Sequence, residues 1–269
     1  MKKLATALVS AAAIMTMSTT AFAAENPAEV FVRVMEKNNT IQSAEIQSGV
    51  HSVILAKDVI PDGQMKVDMA MHAEMDMQDT TDLKYLAQVA SSILGQDSYS
   101  QVFYTDGYYY VDANGVKLKY PMPLEQIISS VQTGVNTSNM ESSYMKGISL
   151  NEVNGKRVLA YEANPKKLNK NVKEALGTVM NTLGTDINLD MNIQEMKGAY
   201  VLDDNDYIIY MTNYIVYNME VLDQPMTCIT LMETEVQNPG EPVVVTLPST
   251  DGYEDLIGLY DGVIESEVE

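Results

Sequence analysis

Cysteine is nearly absent. The 269-residue chain carries one, Cys228, so no disulfide can form within it. The fold must rest on its core rather than on staples. Cys228 falls in an apolar strand pattern, which predicts a buried, inert thiol. Histidine is equally scarce: only His51 and His72 occur, both in strand-like runs. Packed or surface roles suit such histidines better than catalysis does. There is no G-x-S-x-G elbow, no defensible Cys-His signature and no phosphate-binding glycine loop. Carboxylates are abundant, so a chance pair among them is uninformative. The expectation is therefore a non-enzyme with no cofactor and no metal. Basic residues are few, 17 against 37 acidic ones, for a formal charge of −20. Such a chain repels nucleic acid and anionic headgroups, and its acidity serves solubility outside a cell.

Long apolar runs are also missing, except near the start. Lys2 and Lys3 precede a short apolar run from Leu4 to Met15, and Ala21-Phe22-Ala23 is a small-x-small cleavage pattern. This predicts a secretory signal peptide over 1–23, too short for a membrane span. Losing Lys2 and Lys3 with it would take the formal charge from −20 to −22. No cysteine stands at the cleavage point, so no lipid anchor of that kind is expected. No later stretch approaches about 18 uninterrupted apolar residues, so neither is a transmembrane span. The expected product is a soluble, extracellular, envelope-associated protein. Its organisation would be a single α+β domain over 24–249 and an acidic C-terminal tail over 250–269.

Methionine, by contrast, is plentiful. In GQMKVDMAMHAEMDMQ, residues 63–78, every odd position from Met65 to Met77 is apolar, and most even positions are polar. Strict alternation predicts a strand with one buried face. Val, Ile and aromatics are the usual strand formers, so five thioethers on one face need a reason. Met is unbranched and polarizable, and surfaces that must fit variable apolar partners over-use it.

Other elements follow from spacing. Asn26-Pro27-Ala28-Glu29 predicts a helix start, with Val30, Phe31, Val34 and Met35 as its apolar stripe. Strands are expected near 44–57 and 64–78, then a helix over Thr81–Leu94 stopped by Gly95. Asp106-Gly107 and Asn114-Gly115 predict a meander over 98–122, and Asn154-Gly155 a hairpin joining 146–153 to 156–163. Leu124, Ile127, Ile128 and Val131 suggest a helical stripe. A longer one, Leu168, Val172, Leu176, Val179 and Leu183, follows Asn164-Pro165 and ends at Gly184. Strands close the chain from Ile187 to about 237. Alternation changes phase between Ile193 and Met196, which predicts a bulge near Glu195. Tyr253, Leu256, Ile257 and Tyr260 have helical spacing, so the tail is expected either to fray or to form a short helix covering an edge or a cavity mouth.

Strands of about 14 residues span roughly 45 Å, far longer than usual. They fit a curved antiparallel sheet with helices on its concave face. Met65, Val67, Met69, Met71, Met75, Met77, Ile209, Met211, Ile215 and Met219 are the candidate lining of an apolar cavity there. The competing expectation is that these residues pack against the helix stripes and leave a filled core. Copper is a third reading, since thioethers suit Cu(I). Met69-x-Met71 and Met75-x-Met77 have the spacing, but plain alternation gives the same spacing and His72 points to the opposite face. Asp203-Asp204-Asn205-Asp206 has neither EF-hand spacing nor a closing Glu, and a hairpin turn explains it better than Ca²⁺ does.

Tyr104-Thr105-Asp106-Gly107-Tyr108-Tyr109-Tyr110, followed by Asn114 to Met122, resembles a recurrent block in an uncharacterised family of secreted proteins and lipoproteins from Gram-positive bacteria. In architecture that family is similar to the LolA, LolB and LppX type of lipoprotein carriers. The resemblance covers roughly 25–248 in element order. It implies a LolA-like open half-barrel and a lipid or other apolar small molecule as ligand. No carrier residue maps here by motif. The alternative function is an extracellular interaction or sensor domain that binds an envelope protein or cell-wall partner, with a filled core.

Overall fold

The computed structural model describes residues 25–56, 60, 62–79, 83–124, 126, 142–170, 191–221 and 224–256. A helix, α1 (Pro27–Asn38), precedes two long strands, β1 (Ser43–Leu55) and β2 (Gln64–Asp76). Four strands form a meander: β3 (Lys84–Ile93), β4 (Gln96–Thr105), β5 (Tyr108–Ala113) and β6 (Val116–Pro121). Next come β7 (Met145–Val153), β8 (Lys156–Ala163), β9 (Met191–Leu202), β10 (Ile208–Val221), β11 (Gln224–Gln237) and the two-residue β12 (Glu254–Asp255). They hydrogen-bond in the order β12-β6-β5-β4-β3-β2-β1-β11-β10-β9-β8-β7. The sheet is open, with β7 and β12 at its ends, and β12 joins β6 in parallel. This is the expected α+β class: an open, mostly antiparallel sheet with few helices among the described residues.

The chain forms two compact units. The first comprises Met1–Asn38, Gly49–Asp68 and Met140–Glu235, the second Asn39–Ser48, Met69–Asn139 and Val236–Glu269. In the first, α1 starts as its sequence implies. Asn26 Oδ1 accepts from the Ala28 N–H at 3.1 Å, and Asn26 Nδ2 donates to Glu29 at 3.2 Å. The expected stripe, Val30, Phe31, Val34 and Met35, is the face that α1 buries. It packs on Leu150, Leu159, Tyr161, Tyr200, Leu202 and Ile208 of β7–β10. Asn38 ties the helix end to β10, donating to the Asp206 carbonyl and accepting from the Ile208 N–H. Asp206 takes Arg33 and Arg157 at 2.6 Å each. Burial would push this carboxyl up, but the two guanidinium hydrogen bonds outweigh it and hold it below its usual value. Asp203 accepts from the N–H groups of Asn205 and Tyr207, so the acidic run is a turn in which the Asp203 and Asp206 carboxylates are engaged.

The second unit has a different core. Leu86, Phe103 and Tyr110 are covered by Val245 and Tyr253 from the irregular segment that follows β11. Phe103 and Tyr110 stack at 4.6 Å, and Tyr253 meets both edge-on. Val243 enters this segment by donating its N–H to Ser43 Oγ.

Three expectations need correction. Residues 84–93 form β3, not the C-terminal part of a helix over Thr81–Leu94. Pairing with β4 overrides the weak helical spacing, with Gln88 bonded to Gln101 and Ser91 to Ser98. Gly95 is the second residue of a tight turn, φ +75°, not a helix stop. Tyr253 does not sit on a tail helix; it is anchored in the aromatic cluster, and Glu254–Asp255 covers the β6 edge as a strand. The helix after Asn164 is described over 165–170, with Asn164 Oδ1 capping Lys166 and Lys167 and Leu168 in the core. Its remainder, the positions 127–131 and 187–190, and the segment 1–23 lie outside the described residues.

Candidate ligand-binding face

The two faces of β2 separate cleanly. On its polar face Asp68 bonds His51 at 2.7 Å, and His72 lies 3.1 Å from Glu74 and 3.8 Å from Glu45. Met65, Val67, Met69, Met71, Ala73, Met75 and Met77 alternate with these and so share the other face. Burial along that face is graded. Met75 and Met77 are 3% and 5% exposed. Met65, Val67 and Met71 are half-buried, and Met69 is 40% exposed. A fully packed sheet interior would close all of them.

The remaining candidates belong to β10. Two bulges set its phase and that of β9. Val216 pairs Glu195 while Tyr217 pairs Ile193, so Gln194 is the extra residue, beside the expected position. Met191 and Ile193 thereby share a face with Met196, Tyr200 and Leu202 despite the change of parity. A second shift, between the pairs Ile208↔Leu202 and Tyr210↔Val201, makes Ile209 the extra residue of β10. Ile208 therefore enters the core with α1, and Ile209 is the bulged residue beside it. Met211 and Ile215, both partly buried, pack against that same cluster. Met219 lies apart from it, with its sulfur 3.7 Å from Cys228 Sγ.

The ten candidates thus divide between the units. Met65, Val67, Ile209, Met211, Ile215 and Met219 fall in the first, and Met69, Met71, Met75 and Met77 in the second. Strand pattern alone did not find the polar groups beside them. Ser52 and Thr230 hydroxyls bond at 2.9 Å across β1 and β11. Tyr161 donates to Asn213 Oδ1 beneath Gly198, where a Cβ would stand 2.6 Å from Asn213 Oδ1 and 2.7 Å from the Tyr161 oxygen. Burial pushes Tyr161 well up, and Tyr200 up to about 12, so both stay neutral donors. Cys228 is buried as expected, and burial raises its thiol, offset in part by a hydrogen bond with Tyr217. Among the described residues no three His, Cys, Asp or Glu side chains converge as a metal set, and no helix is long and apolar enough to cross a membrane.

An open, mostly antiparallel sheet with a helix packed on β7–β10 defines the class: an α+β protein. The chain matches the family DUF6612, described as a family of unknown function, over residues 26–248, and it belongs to that family. No curated protein matches it. Among solved structures it is similar to LprF from Mycobacterium bovis, at 10% identity and TM-score 0.36 over 83% of this chain and 97% of that one. A DUF1329 family protein from Desulfovibrio piger is similar at 11% identity and TM-score 0.24, over 82% and 93%. A β-barrel-like DUF1849 protein from Brucella abortus is similar at 10% identity and TM-score 0.23, over 74% and 100%.

Proposed function

We propose that this protein is secreted and binds an apolar ligand, a lipid or acyl chain, which it holds or carries at the cell envelope. The observation that carries the reading is the graded burial of the β2 methionine face. Within the second unit, Met69 is 40% exposed and Met71 half-buried while Met75 and Met77 are closed. Flexible thioethers in the open stretch suit a ligand of variable shape. No residue is assigned covalent chemistry. Secretion is part of the proposal and rests on the leader pattern at residues 1–23.

The test is native mass spectrometry of the purified protein, followed by solvent extraction. A reproducible lipid-like mass is expected, and Met69→Phe with Met71→Phe should lower its occupancy without unfolding the protein. A clean apo mass that persists after incubation with candidate lipids overturns the reading.

One observation favours a second reading, an interaction domain for an envelope protein or cell-wall partner. Leu94 is 70% exposed at the β3–β4 tip, and Ile93, Tyr99 and Val116 of the same unit are also exposed. Leu94 holds a left-handed φ of 53°, a position that Asp106, Asn114 and Asn154 occupy in the other tight turns. An apolar side chain placed there at a cost in strain suits a contact surface.

A further inference from the structure

The register of β9, β10 and β11 puts four sulfur-bearing residues on one face of three adjacent strands, a juxtaposition that the alternation of any one strand does not reveal. Met219 pairs directly with Met191 on one side and Met226 on the other. Directly paired residues project to the same face, with Cβ atoms about 5 Å apart. Tyr217, two residues before Met219, pairs with Cys228, so Cys228 shares that face too. Its Sγ lies 3.7 Å from Met219 Sδ. Met191, Met219 and Met226 are half-buried, and Cys228 is 1% exposed. All four belong to the first unit.

We propose that Met191, Met219, Met226 and Cys228 form a binding site for a soft monovalent metal ion, Cu(I). Thiolate and thioether donors in an apolar setting select Cu(I) over the harder cations. Two sulfurs bound to one ion at about 2.3 Å stand about 3.8 Å apart in a tetrahedral site and about 4 Å apart in a trigonal one, using the metal–thiolate length of zinc sites as guide. The Cys228–Met219 spacing is already close to this, so the pair needs little rearrangement. Cu(I) arriving as such displaces the thiol proton and forms a Cu–S bond, with no change of oxidation state. The β2 methionines are not part of this site. The proposal does not depend on the apolar-ligand reading, and Met219 is the one residue common to both candidate sets.

Anaerobic titration with acetonitrile-stabilised Cu(I) against the chelator bicinchoninate tests it. One Cu(I) per chain is expected, with an X-ray absorption shell of sulfur alone. Affinity should rise about tenfold per pH unit below the thiol pKa, because one proton leaves on binding. Cys228→Ser should lower affinity and abolish that pH slope. Met219→Leu and Met226→Leu, which nearly conserve volume, should each lower affinity at least about threefold with circular dichroism unchanged. Met122→Leu, in the second unit, should leave binding unchanged. Stoichiometry far below one, an oxygen or nitrogen shell, or affinity insensitive to both Met→Leu variants overturns the site. The Met→Leu pair decides the matter even if Cys228→Ser fails to fold.

Discussion

The two units solve the same problem by different means. In the first, α1 lays a regular stripe on β7–β10, and the aromatic rings of Phe31, Tyr161 and Tyr200 meet beneath it. In the second, an irregular segment brings Val245 and Tyr253 onto Phe103 and Tyr110. A helix satisfies its own backbone and can cover a sheet wherever its stripe fits. An irregular segment has no such ladder and needs outside partners; here the Gly240 N–H donates to the Ser43 carbonyl and the Val243 N–H to Ser43 Oγ. The lesson is that a covering element need not be periodic if a few aromatic contacts and backbone bonds fix it.

The largest expected effect compares the two cores directly. Phe31→Ala and Phe103→Ala each remove a fully buried ring. Each should cost about 3–5 kcal/mol. Denaturant unfolding with Tyr fluorescence checks this; a cost below about 1 kcal/mol in either variant would mean that core is not packed as described. Gly198→Ala comes next. Its methyl would collide with the Thr212 carbonyl, Asn213 and Tyr161, at a cost of about 2–4 kcal/mol. A shift in midpoint without a change in m-value is the expected signature.

A smaller effect separates the units by pH. The carboxyl of Asp206 is depressed in the folded state, so its contribution is present above about pH 3.8 and is lost as pH falls through the folded value. Asp206→Asn should cost about 1–3 kcal/mol near neutral pH and flatten the acid limb of the stability curve. An unchanged acid limb would show that the Arg33–Asp206–Arg157 cluster is not coupled to folding. The smallest expected change has the opposite sign. Leu94→Asn relieves the left-handed leucine and should stabilise by about 0.5–1 kcal/mol. Under the interaction reading it should also weaken partner capture.

Much of the architecture was legible because period and turn chemistry act locally. The α1 stripe, the Asn-Gly and Asp-Gly turns, the 146–163 hairpin and the bulge by Glu195 could all be read from short windows. Residues 84–93 could not, because Leu86, Ala90 and Ile93 imitate a helix and Leu94 conceals a turn. Tyr253 could not be placed, between a frayed tail and a short helix, because its partners, Phe103 and Tyr110, lie more than a hundred residues away. The candidate site was legible only in part. The β2 face follows from alternation, but whether Met71 and Met211 meet ligand or core depends on what covers them. The bulge at Ile209 is not visible in the alternation of β10 alone. The row Met191–Met219–Met226 is a matter of register across three strands, and no single-strand pattern carries it.

The two bulges have an evolutionary consequence. An unbroken strand that loses one residue turns all later side chains inside out, so its length can drift only in steps of two. Gln194 and Ile209 are places where a single residue has been absorbed. Relatives within the family are therefore expected to gain or lose single residues at these two points, and pairs elsewhere in β9 and β10. Where Gln194 is missing, the residues that replace Met191 and Ile193 should keep their polarity, because their pairing with Met219 and Tyr217 is unchanged. Alignment gaps of one at other positions in these strands would mark a relative whose sheet has been repacked rather than merely lengthened.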